Sequence, residues 1–177
     1  MNHRAFTLIE ILVVIGIIAI LAGMGMSVAK PVMEKGKKSR ATAEIVALES
    51  ALERYKSDNG DYPLSEVSPD PETEGDPTGD SYISASRVLF QALCGRKNYK
   101  EAAEGQLYFE ARVTQVDKNS RISTDEESYL VDPWGNAYGY LKNESNTGMN
   151  PGFFDLWSTS GSTEIEAKKQ WIGNWRQ

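Results

Sequence analysis

Few side chains in this sequence are equipped for catalysis. Its one histidine is His3 and its one cysteine is Cys94. That leaves no Ser-His-Asp or Cys-His constellation, no histidine-based metal set and no intramolecular disulfide. Removal of a short leader would leave no histidine at all. The remaining chemistry is carboxylate chemistry, with 25 Asp+Glu against 19 Lys+Arg. None of these carboxylates falls into a recognisable acid/base pair or EF-hand spacing, so no catalytic, cofactor-binding or metal-ligating residue is expected. A formal net charge of −6 gives the chain no bulk attraction for nucleic acid. One carboxylate is out of place. Glu10 lies inside an apolar run, where an ionised side chain costs a few kcal/mol unless it sits at the interface or meets a cation. Arg4 and a newly formed α-amine at Phe6 are the cations in reach.

The element that carries Glu10 is the run from Phe6 to Ala29, FTLIEILVVIGIIAILAGMGMSVA, uncharged from Ile11 onward. At 1.5 Å per residue it is long enough to span about one hydrocarbon core, roughly 29 Å. An ordinary secretory signal cleaved after Ser27-Val28-Ala29 and an uncleaved anchor are the competing readings. Ala19, Gly23 and Ser27 recur every four residues, a spacing that lets helices approach closely in lipid. Lysine and arginine counts on the two sides of the run place its C-terminal side in the cytoplasm: Arg4 precedes it, and Lys30, Lys35, Lys37, Lys38 and Arg40 follow.

Val32 to Asp58 reads as an amphipathic helix, with Ala41, Ile45, Leu48, Leu52 and Tyr55 on one stripe and Asn59-Gly60 as the stop. Pro31, where the two helical halves meet, predicts a bend, and Gly23 and Gly25 could loosen the same region. Residues 64–80 hold three prolines and six carboxylates and predict an acidic, mobile loop. Ser84 to Leu93 predicts a short helix ended by Gly95, burying Val88, Leu89, Ala92 and Leu93, with Cys94 as a small buried residue beside it. Strands are expected at Leu107 to Val116, Tyr129 to Val131, Ala137 to Leu141 and Phe153 to Ser158, with a turn at Asp132-Pro133-Trp134-Gly135. The fold class is therefore α+β: a long N-terminal α-helix, half transmembrane and half amphipathic, packed against a small C-terminal antiparallel sheet.

The basic leader ending in Arg4-Ala5, followed by Phe6-Thr7-Leu8-Ile9-Glu10 and a spanning run, resembles the cleavage signal of the type IV pilin and pseudopilin family. The blocks Leu52 to Pro63, Asp132 to Asn136, Phe154 to Ser158 and Ile172 to Trp175 are similar to the major pseudopilins of type II secretion. The segment between Ser65 and Ser128 has no counterpart in that resemblance. The resemblance implies cleavage between Ala5 and Phe6 by a prepilin peptidase, N-methylation of Phe6, and a role for Glu10 in filament assembly. It divides the chain into a leader (1–5), a transmembrane and assembly helix (6–29), an amphipathic half (30–58) and a globular head (59–177). Ala5 replaces the family's usual glycine, and the family's helix proline has no match in place.

The resemblance further implies a structural, non-enzymatic subunit of a secretion pseudopilus that supports export across the outer membrane. It would be held as a single-pass protein of the inner membrane, its C-terminal domain in the periplasm, opposite to the lysine and arginine count. The implied partners are the prepilin peptidase, identical or related pseudopilins, the inner-membrane secretion platform and membrane lipid. A type IV pilus subunit, major or minor, and a membrane-anchored extracytoplasmic binding domain are the alternatives. The calcium loop associated with those pseudopilins is not matched. Ser160-Gly161-Ser162-Thr163 lacks its aspartate, and Glu164 and Glu166 alone are too few ligands, so no calcium is expected.

Overall fold

The computed structural model describes residues 7–123, 126–143 and 148–175, and within helix α1 it leaves the side chains of 22–29 undescribed. The chain divides into two compact units, residues 1–37 and 38–177. Helix α1, Leu8–Asn59, contributes to both, and its helical assignment is unbroken through Pro31. Within the first unit the apolar side chains from Leu8 to Leu21 are all exposed. Among the described residues no helix is long and apolar enough to cross a membrane. The expected 6–29 span lies only in part within them: Phe6 and the side chains of Gly23, Gly25 and Ser27 fall outside.

In the second unit the expected stripe of α1 is buried: Ala41, Ile45, Leu48 and Leu52 are within a few per cent of fully covered, and Tyr55 packs at the margin. They meet Leu89, Phe90 and Leu93 of helix α2, Asp80–Cys94, and Tyr138, Tyr140, Phe154 and Leu156 of the sheet region. α2 begins four residues before the expected start. Its buried line runs Tyr82, Ala85, Ser86, Leu89, Phe90, Leu93 and Cys94, a continuous i, i+3, i+4 face. Val88 and Ala92, expected inside, lie at its edge. Gly95 ends α2 in the left-handed conformation (φ +62°), a position where a Cβ would be strained and would also strike the Gly105 carbonyl.

The sheet has three antiparallel strands in the order β1 (Gly139–Lys142), β2 (Phe154–Ser158), β3 (Ile172–Gly173). β2 is central and buried along its whole length. Its residues alternate, with Phe154 and Leu156 in the core shared with α1, and Trp157 in a second cluster with Tyr82, Ala137, Trp171 and Trp175. Trp157 pairs with Gly139 on one side and Gly173 on the other. A Cβ on Gly139 would lie 2.2 Å from the Trp157 ring, so the indole occupies the space a side chain on β1 would need.

Two expectations are corrected. Leu107 to Val116 is not a strand. The amides of Tyr108 and Phe109 donate to the Leu93 carbonyl at the end of α2, and Arg54 donates to the Tyr108 carbonyl (2.6 Å). Helix ends and a side chain satisfy this backbone, so it forms no ladder; a 3-10 turn, Val113–Gln115, and a single bridge from Val116 to Leu130 follow. Tyr129 to Val131 likewise contributes only bridges. The acidic loop packs through its prolines. Pro69, Pro71 and Pro77 are buried while its carboxylates stay exposed, and Tyr82 donates to the Glu74 carbonyl (2.9 Å).

Candidate functional site

The N-terminal segment starts with a capping box. Thr7 precedes the first helical residue, and its amide and hydroxyl both donate to one Glu10 carboxylate oxygen, at 2.8 and 2.7 Å. The Glu10 amide in turn donates to the Thr7 hydroxyl at 3.4 Å. The Thr7 amide, which the helix cannot satisfy internally, is thereby paired, and the Glu10 amide is shared between the Thr7 hydroxyl and the Thr7 carbonyl (3.1 Å). Among the described residues, the groups bonded to this carboxylate all come from Thr7. Glu10 is exposed, at the head of apolar side chains that are themselves open on every side: Leu8 is 83% exposed and Ile15 58%. A helix apolar all round has to be covered by lipid or by other helices. Ala5 and Phe6, the expected cleavage pair, lie outside the described residues.

The second feature is the seat of α1 in the head. Glu44 falls on the buried stripe between Ala41 and Leu48. One carboxylate oxygen accepts from Arg40 Nε (2.7 Å), one turn earlier, and the other accepts from the Tyr138 hydroxyl (2.7 Å). Arg40 also donates to the Thr114 hydroxyl at 2.9 Å. Burial and the neighbouring Glu44 carboxylate hold the Tyr138 hydroxyl well above the ordinary tyrosine range. Farther along, Tyr62 donates to Glu53 (2.7 Å) and Tyr140 to the Pro63 carbonyl (2.7 Å). A lone carboxylate interrupting an otherwise apolar stripe was the sequence signal for this clasp; its tyrosine partner, 94 residues away, had none.

The turn at Asp132 is built as its composition requires. Asp132 Oδ1 accepts from the amides of Trp134 (2.9 Å) and Asn136 (3.0 Å), and Oδ2 accepts from the Ser158 hydroxyl (2.5 Å). Burial pushes this carboxyl up against the pull of those hydrogen bonds. Segment 96–128, part of the 65–128 stretch that had no counterpart in the resemblance, is tied by a polar chain. Ser128 Oγ donates to Ser120 Oγ, Ser120 Oγ to Asp117, and Asn98 to the carbonyls of Ser123 and Glu126.

Cys94 is buried, and burial raises its thiol to about 11, the reverse of an activated nucleophile. The loop after β2 is closed on itself: the Ser160 amide donates to the Ser158 hydroxyl and the Ser160 hydroxyl to the Gln170 carbonyl. Glu164 and Glu166 are exposed. Among the described residues, no group of three or more histidine, cysteine, aspartate or glutamate side chains could hold a metal ion.

Comparison with known proteins bears on the N-terminal segment first. Residues 1–26 match the prokaryotic N-terminal methylation motif. The chain is similar to type II secretion system core protein G of Escherichia coli (50% identical over 64 residues). That alignment takes in 36% of this chain and 44% of the other, so it spans less than half of either protein. Core protein G of Vibrio cholerae is 28% identical over 180 residues, covering 98% of this chain and 92% of that one. Core protein G of Pseudomonas aeruginosa is 29% identical over 184 residues, covering 98% and 96%. No solved structure matches the chain. The chain thus carries the prokaryotic N-terminal methylation motif at the head of an exposed apolar helix, and it is similar from end to end to core protein G of two type II secretion systems.

Proposed function

We propose that the chain is a structural, non-enzymatic subunit of a type II secretion pseudopilus. The observation that carries this reading is the unbroken run of exposed apolar side chains on α1 from Leu8 to Leu21, in a protein whose head buries Leu48, Leu52, Leu89, Phe90 and Phe154 in a core of its own. Before assembly, lipid of the inner membrane covers that face, with the head in the periplasm. During assembly, the same face moves against neighbouring subunits. A prepilin peptidase cuts between Ala5 and Phe6, and Phe6 becomes the methylated N-terminus. Glu10 then exchanges its Thr7 donors for the amine of a neighbouring subunit. An unpaired carboxylate in that bundle is costly and a paired one tolerable, so the charge selects the correct stacking register. The whole-length relatives being secretion proteins supports this reading over a type IV pilus subunit. Other pseudopilins and the inner-membrane platform are the partners it requires.

The test is Glu10→Ala in a host with the secretion genes. Sheared filaments should disappear while the variant remains in the membrane fraction with its N-terminus at methylated Phe6, read by mass spectrometry. Filaments of normal abundance from the variant would remove Glu10 from assembly. A chain beginning at Lys30 would overturn the filament reading altogether.

A further inference from the structure

Charge is segregated along this chain. Residues 11–43 contain five basic residues and a single acidic one, Glu34, whereas residues 44–177 contain 13 basic and 23 acidic residues. The basic group opens directly after the apolar run. On the first unit it comprises Lys30, Lys35 and Lys37, with Val32 and Met33 between them at 63% and 65% exposure. Lys37 pairs with Glu34 at 3.7 Å, a half-exposed contact that is long and worth little. We propose that this collar is a docking surface for anionic phospholipid headgroups, resting on the membrane-spanning reading given above.

The argument is one of position and charge. A span ending near Ala29 puts Lys30 at the edge of the hydrocarbon core. Lys35 and Lys37 then lie about 8 and 11 Å farther along the helix, within about one screening length of the phosphates. Long lysine stems can lie along Val32 and Met33 while their ammonium groups reach outward. An acidic head tethered close to an anionic surface is repelled by it. Juxtamembrane lysines supply the compensating attraction, and it grows with the number of lysines near the surface. The same residues explain how a segment carrying the wrong charge for its side of the membrane is stabilised there once it has crossed.

The test uses the full-length chain reconstituted into vesicles of phosphatidylcholine alone, or with about 30% phosphatidylglycerol. Gly36 and Gly16 each have open space where a Cβ would go, so Gly36→Cys and Gly16→Cys accept an environment-sensitive fluorophore. Cys94 is buried and stays unlabelled. Phosphatidylglycerol should lower aqueous acrylamide quenching at position 36 by about twofold or more, and about 0.5 M salt should restore it. The variant K30Q/K35Q/K37Q, with an unchanged near-ultraviolet spectrum, should show no lipid dependence. Equal quenching in both lipids, or a lipid dependence that survives the triple variant, overturns the proposal. So does protection that follows protein density in place of phosphatidylglycerol, which would assign the collar to a second copy of the chain. The label at position 16 reports the span separately. If it is open to acrylamide in both vesicles, the spanning reading fails and the collar's place at the headgroups fails with it.

Discussion

Glu44→Ala removes the carboxylate on which α1 is seated, and the size of its effect can be worked from the contacts. Two interactions are lost. The hydrogen bond from Tyr138 is short, charge-assisted and buried, a class that contributes about 1.5–3 kcal/mol. The contact with Arg40 is an i, i+4 pair whose guanidinium is 40% exposed and also held by Thr114, so it contributes only about 0.3–0.5 kcal/mol. Tyr138 is left with a hydroxyl buried beside apolar neighbours, which makes this truncation worse than removing the hydroxyl itself. We expect Glu44→Ala to destabilise the head by about 2–4 kcal/mol. At about 3 °C per kcal/mol, that lowers its Tm by roughly 6–12 °C. Tyr138→Phe should cost less, about 1–2 kcal/mol, although it leaves Glu44 one donor short. The assay is thermal melting of the full chain in detergent, followed by near-ultraviolet circular dichroism of the buried tryptophan cluster. A double-mutant cycle between positions 44 and 138 should give a coupling of about 1–3 kcal/mol, and the cycle between 44 and 40 less than about 1 kcal/mol. A 44–138 coupling near zero, or one smaller than the 44–40 coupling, would refute the reasoning, because the clasp would then be an ordinary surface pair.

Three further outcomes are expected. Gly139→Ala puts a methyl where the Trp157 ring already lies, with β1 backbone on one side and a packed aromatic cluster on the other, and should destabilise the head by about 1–3 kcal/mol in the same melts. Gly16→Ala, with nothing near its Cβ, should leave head stability unchanged and serves as the control. Cys94 in the native chain should react with a thiol reagent at neutral pH at least about tenfold more slowly than in urea, since burial both blocks access and keeps the thiol protonated. Fast native labelling would mean that the end of α2 opens far more readily than its packing implies.

The parts of the fold that were legible in the sequence are those fixed by short-range patterns. The buried stripe of α1 was readable because a helix face repeats every three to four residues, and Ala41, Ile45, Leu48 and Leu52 obey that repeat. Gly95 and the Asp132 turn were readable because each depends on local backbone chemistry. The Leu107 to Val116 strand failed for the complementary reason. Its alternation of residue types suits a strand, but a strand also needs a partner edge. Here the Leu93 carbonyl and Arg54 take the backbone groups first. Composition recorded the charges of the acidic loop but not the burial of its three prolines.

For function, the sequence by itself carried the essential point: the proposed leader, the proposed cleavage before Phe6, Glu10 and a long apolar run are contiguous, so their chemistry needs no folding to be assembled. Tertiary structure decided what holds the head to the helix. Tyr138 meets Glu44, Tyr140 meets the Pro63 carbonyl, and Trp157 fills the space over Gly139, each across dozens of residues or a strand pairing. Such partners are selected by packing geometry, which one-dimensional spacing does not encode. That is why the N-terminal motif could be read directly while the clasp at Glu44 could not.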